Sequence, residues 1–397
     1  MKIILLSFTD STNFGDQFIV EQLEKRLKKY GKVITYSYNF RKNFSPIEFT
    51  SYIEKSWLNS LKSNLKNKLQ KFSIVDKINS KRIVKQLESR IANSSFIEDL
   101  KKSDILIFGG GNVIFDLTRF GDSAGKFEVI INAAKKYNKK IIFMDVGIGP
   151  FATKKQVIKT REVLKLADYI TVRDQGSYNL ISDLKNVELG IDPVFSLKKQ
   201  FCNDKKNPIP CIGICIIDYT LNKATKSDYY KYLQDTRKLI LKIKVAHPES
   251  QIIVFNSEIR DFDAVPILKK ILSDCKLNIE YMFVGSKKQL IDLYEDLDII
   301  IGTRMHSMIV AISQDIPVIG ISWQPKVSEI FKIIDNENSV FDIKTFGEKT
   351  DEIIAILNKQ LAIVEKSNFG FAQEIIEEKT QIDFRLLNKV AEELNNE

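Results

Sequence analysis

Arg304 and His306 stand two residues apart in the stretch GTRMHSM (302–308), directly after the apolar run LDIII (297–301), and His306 is one of only two histidines in the chain. An imidazole moves a proton near neutral pH, and a guanidinium grips a carboxylate or phosphate with two parallel bonds. The pair therefore suits acid–base chemistry on an anionic substrate. With Thr303 as the expected N-cap, both residues fall in the first turn of a helix running through SMIVAISQ. Unpaired backbone N–H groups and the positive end of the helix dipole favour an anion there too. The other histidine, His247 in KVAHPES, precedes a proline at a helix end and reads as a capping residue.

Other residues of the same kind also follow apolar runs. FGGGN puts Gly109, Gly110, Gly111 and Asn112 after a strand, either as a tight turn or as a backbone cradle for an anion. DVGIGP adds Gly147 and Gly149 at another strand end, and TVRD ends a third with Arg173, which either pairs with Asp174 or binds an anion. SWQPKVSEIF places Lys326 and Ser328 near a helix start. The set is rich in cations and backbone donors, and contains no carboxylate pair, His/Cys cluster or nucleophile with an adjacent base. A doubly anionic small substrate fits it; a hydrolase triad or a zinc enzyme does not, and neither metal nor cofactor is expected.

The elements that must position these residues alternate short apolar runs with helical patterns, the signature of parallel sheets with helices on both faces. One series comprises KIILLSF (2–8), KVITYSY (32–38), DILIFGGGN (104–112), KIIFMDVGIGP (140–150) and DYITVRD (168–174). A second comprises CIGICII (211–217), QIIVF (251–255), IEYMF (279–283), LDIII (297–301) and IPVIGIS (316–322). The expected fold is α/β, two Rossmann-like domains facing a central cleft, because ligands of such sheets collect at the carboxyl ends of the strands. The expected domains are 1–200, with a basic helical insertion at about 41–101, and 209–345. The unpatterned stretch 196–210 serves as linker, and C-terminal helices over 346–397 are free to pack back on the N-terminal domain.

The net charge of +9 is concentrated in that insertion, where residues 41–101 hold 13 Lys or Arg against 6 Asp or Glu. Trp57, Leu58, Leu61, Leu65, Leu69 and Phe72 recur at helical spacing with Lys62, Lys66, Lys68 and Lys71 between them. Such a helix either packs on its own domain or lies on an anionic membrane surface or acceptor. The four cysteines, Cys202, Cys211, Cys215 and Cys275, lack disulfide-framework or zinc-ribbon spacing, and Cys211 and Cys215 read as core. The apolar stretch of the first residues is too short for a signal peptide, and no segment approaches the roughly 20 apolar residues of a membrane span. A cytoplasmic location is expected, with peripheral contact at the inner face of the membrane as an option, and no role with nucleic acid.

The sequence resembles the polysaccharide pyruvyl transferase family. NFGD (13–16), GGGN (109–112), GIGP (147–150), TVRD (171–174), DPVF (192–195), GTRMHSMIVA (302–311) and PVIGISWQPKVSE (317–329) run in family order. The resemblance implies an architecture similar to the glycosyltransferase B fold, phosphoenolpyruvate as donor, and a saccharide acceptor, usually a sugar unit of a cell-surface polymer such as capsule or exopolysaccharide, or its lipid-linked precursor. It implies that Arg173 and Arg304 bind the donor and that His306 is the catalytic acid or base. Lys326, the run Gly109 to Asn112, and Asn13 and Asp16 of NFGD complete the expected substrate-binding set. Two alternatives stand beside it: a sugar-nucleotide-dependent glycosyltransferase of the same architecture, and a non-catalytic anion-binding relative.

Overall fold

The computed structural model describes residues 1–42, 73–200, 209–222, 224–364 and 373–396. The expected basic helix at 57–72 lies outside them. The chain divides into two compact units, one of Met1–Ser11, Asp16–Pro193 and Glu377–Glu397, the other of Thr12–Gly15 and Val194–Ile376. The change of unit thus falls at Pro193, ahead of the expected linker. The C-terminal helices belong to different units: Thr350–Val364 to the second, and Gln373–Asn396, from Glu377 on, to the first. Among the described residues no helix is long and apolar enough to cross a membrane.

Among the described residues the first unit is built on seven strands: β1 (Lys2–Ser7), β2 (Lys32–Ser37), β3 (Ile105–Gly109), β4 (Asn112–Asp116), β5 (Lys140–Phe151), β6 (Tyr169–Val172) and β7 (Val187–Leu189). Their order is β2-β1-β3-β5-β6-β7, with β4 pairing β5, and every pairing is parallel. The described residues of the second unit form six: β8 (Cys211–Cys215), β9 (Gln251–Phe255), β10 (Glu280–Met282), β11 (Ile299–Gly302), β12 (Val318–Ser322) and β13 (Val340–Asp342). These run β10-β9-β8-β11-β12-β13, again all parallel. Both are α/β domains with parallel sheets, as expected. The central strands β3, β8, β11 and β12 are buried at every residue, because helices cover both faces of such a sheet. Cys211 and Cys215 are buried in β8, and burial pushes the Cys215 thiol up to about 11.

The run read as one strand over 104–112 is two. Gly110 and Gly111 take φ values of 56° and 72°, a left-handed kink that ends β3 and starts β4. Strand order reverses between β1 and β3 in the first unit and between β8 and β11 in the second. Ligands of open α/β sheets bind outside the carboxyl ends of the strands at such reversals. The glycine run follows β3, and the Arg304–His306 triplet follows β11.

Candidate active-site residues

In the second unit the helix after β11 is Met305–Ser313, and its N-cap is Arg304 rather than Thr303. The Thr303 hydroxyl donates to the Cys215 carbonyl (2.9 Å) and lies 3.2 Å from the Tyr232 hydroxyl, while the Trp323 indole N–H donates to the Thr303 carbonyl (3.0 Å). Thr303 is thereby held against β8 and cannot cap. His306 becomes the second residue of the helix and is 9% exposed.

Arg304 is gripped by two carboxylates from the loop after β9. Its Nε and Nη2 donate to Asp261 Oδ2 and Oδ1, both at 2.7 Å, and its Nη1 lies 2.8 Å from Glu258 Oε2. Both carboxylate side chains are fully buried, whereas that of Arg304 is 14% exposed. Glu258 also pairs with Arg260, and Asp261 accepts from the Asp218 backbone N–H (3.0 Å). Burial opposes the charge on Arg304, but Glu258 and Asp261 outweigh it and hold the guanidinium above its usual pKa. Burial likewise raises the Asp261 carboxyl, with Arg304 pulling the other way.

In the first unit Arg173 sits at the end of β6 with its side chain 4% exposed. Asp174 does not pair with it. That carboxylate caps the helix Gln175–Ile181 by accepting from the Ser177 N–H (2.7 Å). Arg173 instead pairs with the buried Asp192 of DPVF, and its Nη2 donates to Asn112 Oδ1 (3.3 Å). Asn112 Nδ2 donates to the Gly149 carbonyl (3.0 Å). A side chain at Gly147 would collide with Asn112, since its β-carbon would lie 2.1 Å from Oδ1. Asn112, Gly147 and Arg173 therefore form one packed group. The N–H groups of Gly110 and Gly147 donate to the carbonyls of Met144 (2.9 Å) and Gly111 (2.7 Å), which ties the glycine turn into the sheet.

The remaining expected residues are more dispersed. Asn13 caps the helix Phe14–Leu27, its Oδ1 accepting from the Gly15 N–H (2.9 Å), and Asp16 accepts from the Ser11 hydroxyl (2.6 Å). Lys326 is the second residue of the helix Pro325–Ile333 and is partly exposed. Ser328 bonds to Ser322 (2.9 Å). His247 caps the helix Lys226–Ala246 at its C-terminus, and its Nε2 contacts Asn358 Oδ1 at 2.7 Å.

The description "Polysaccharide pyruvyl transferase" belongs to a family model that matches residues 13–325. The chain belongs to that family. No curated protein matches the sequence. Among solved structures, the pyruvyl transferase chain is similar to a UDP-GlcNAc 2-epimerase from Neisseria meningitidis bound to UDP-GlcNAc, at 13% identity and a TM-score of 0.52, covering 98% of this chain and 100% of that one. It is also similar to a glycosyltransferase from Rickettsia africae, at 11% identity and a TM-score of 0.51, covering 98% of each chain. At such identities the likeness shows the fold alone, the architecture of glycosyltransferase B enzymes. The chain spans 57% of the length of the chain it matches in the structure of accessory secretory proteins 1, 2 and 3 of Streptococcus pneumoniae.

Glu258 and Asp261 were not legible as site residues from sequence spacing. They lie more than 40 positions before Arg304, and only the fold brings them to it. The available signal was the stretch NSEIRDFD (256–263), with its three carboxylates and one arginine directly after the apolar QIIVF.

Proposed function

We propose that this pyruvyl transferase moves a pyruvyl group from phosphoenolpyruvate to a saccharide and closes a pyruvate ketal, during synthesis of a cell-surface polysaccharide. The observation that carries the reading is the Arg304–His306 triplet at the strand reversal of the second unit, in a chain that the family model matches from 13 to 325. The acceptor is a lipid-linked precursor in this reading, so the reaction runs on the cytoplasmic side of the membrane.

The chemistry needs one proton donor. Phosphoenolpyruvate is an enol ester whose C2 becomes electrophilic when C3 is protonated, and His306 supplies that proton. An acceptor hydroxyl then bonds to C2 and gives up its proton, which returns to the imidazole. A second hydroxyl of the same sugar bonds to C2 as the C2–O bond to phosphate breaks, its proton passing to the departing phosphate, which leaves as inorganic phosphate, and a methyl-bearing ketal carbon remains. Arg304 offers the N–H donors not engaged by Asp261 and Glu258 to the donor's carboxylate and phosphate. The carboxylate clamp keeps the Arg304 fork in one orientation, and a flexible ammonium would not reproduce that.

Thermal protection tests the reading against a sugar-nucleotide enzyme of the same fold. Phosphoenolpyruvate at about 100 times its Kd should add roughly 2.7 kcal/mol to stability, and UDP should add nothing. Protection by UDP and not by phosphoenolpyruvate would reverse the assignment.

A further inference from the structure

We propose that Gly15 is a positioning residue for His306, its bare α-carbon forming the seat against which the imidazole ring is fixed. Although Thr12–Gly15 follow β1 in sequence and run into the first helix, they group with the second unit. Asn13 forms an antiparallel bridge with Glu258, and the Ile259 N–H donates to the Thr12 carbonyl (3.3 Å). The segment is thus sewn to the same loop that supplies the carboxylates of Arg304. A β-carbon at Gly15 would stand 1.9 Å from His306 Nδ1, 2.1 Å from Cγ and 2.4 Å from Cβ. Gly15 is helical, so no left-handed backbone demands a glycine here; the demand is for space.

Two consequences follow. The Nδ1 edge of the ring faces the main chain of Gly15, so Nε2 is the nitrogen that exchanges the proton with the donor. One short segment, Asn13 to Gly15, also touches both halves of the triplet, the ring of His306 directly and Arg304 through Glu258. The catalytic part of this inference rests on the proposed transfer reaction, and the structural part does not.

Gly15→Ala tests it, with Gly176→Ala as control, since Gly176 is also the second residue of a helix and its β-carbon would meet only Asp174 Oδ1 at 3.3 Å. Gly15→Ala should lower the unfolding midpoint by several degrees in the parent and change it little in a His306→Gly background, where both the ring and its β-carbon are gone. Failure to fold in the parent with folding in the His306→Gly background is the same result. An equal loss in both backgrounds, or folding in neither, would overturn the proposal. Because the chain has two histidines, His247→Gln assigns their NMR signals. The His306 ring signal should move in Gly15→Ala and stay in Gly176→Ala, and an unmoved signal in Gly15→Ala would also overturn it. With phosphoenolpyruvate and acceptor, kcat should fall about 10²-fold while KM for the donor holds, the signature of a misplaced proton donor. If the parent itself releases no phosphate, the reading of the function falls, and the melting and NMR results still decide the seat.

Discussion

Each unit buries one arginine between two carboxylates, yet the two clusters occupy different places in their sheets. In the first unit Arg26 lies 3.0 Å from Asp145 Oδ2 and pairs with Asp383 of the C-terminal helix, and all three side chains are at most 4% exposed. Thr171 joins them by donating to Asp383 (3.0 Å) and accepting from the Asp145 N–H (2.8 Å). In the second unit Arg304 meets Asp261 and Glu258 at the carboxyl end of β11, and the guanidinium keeps some exposure. The same three charges therefore do two jobs. The closed cluster fastens the C-terminal helix to the first unit, and the open one aims a cation at a strand reversal where ligands of this fold bind.

The largest stability effect should come from the closed cluster. Arg26→Ala leaves two carboxylates buried without their cation, which should cost about 3–5 kcal/mol in a urea titration. A loss below 1 kcal/mol would mean that the C-terminal helix is held by its apolar contacts alone. The open cluster should respond in activity instead. Asp261→Asn halves the grip on the Arg304 fork and should lower phosphoenolpyruvate turnover about 10²-fold, as a misoriented binding group does. If Asp261→Asn keeps parental turnover, the clamp is a structural feature only and the contrast between the clusters fails.

Asp145 sharpens the comparison through pH. Burial pushes its carboxyl up to about 6, Arg26 pulling it down and Asp192 pushing it further up. The folded state thus holds this proton more tightly than the unfolded chain, whose carboxyl titrates near 3.8. The Asp145 contribution favours folding below about pH 4 and is lost as pH rises through 6. Measured against Asp145→Asn, the parent should lose roughly 2 kcal/mol of stability between pH 4 and pH 7. Asn is the substitution of choice because it tolerates the φ of 51° at this position. A difference that stays constant with pH would show that Asp145 remains charged throughout. An exposed pair sets the floor: Lys159 lies 2.8 Å from Asp122 with its side chain 43% exposed, and Lys159→Ala should change stability by less than about 1 kcal/mol.

Much of the fold was legible because parallel strands covered on both faces must be apolar throughout, so KIILLSF and QIIVF announce β1 and β9 without alternation. The short strands β7 and β13 were not legible. VEL and VFD are three residues each, with a charge in both, and only their neighbours make them strands. The Arg304–His306 triplet could be placed at the end of β11 from local pattern. Its N-cap came out one residue later, since the Thr303 hydroxyl is claimed by Cys215 of another strand. The grouping of Thr12–Gly15 with the second unit depends on pairing with Glu258 and Ile259, some 245 positions away, and no spacing rule reaches that far.

The central claim is that His306 donates the proton that makes phosphoenolpyruvate electrophilic. Its most direct test is incubation of parent and His306→Ala with phosphoenolpyruvate and a lipid-linked saccharide pool, following released phosphate and the saccharide mass. The account predicts stoichiometric phosphate and pyruvyl ketal from the parent, and a rate about 10²–10⁴-fold lower from a folded His306→Ala protein. Equal phosphate release by both proteins, or none from the parent with any acceptor in the pool, would contradict it.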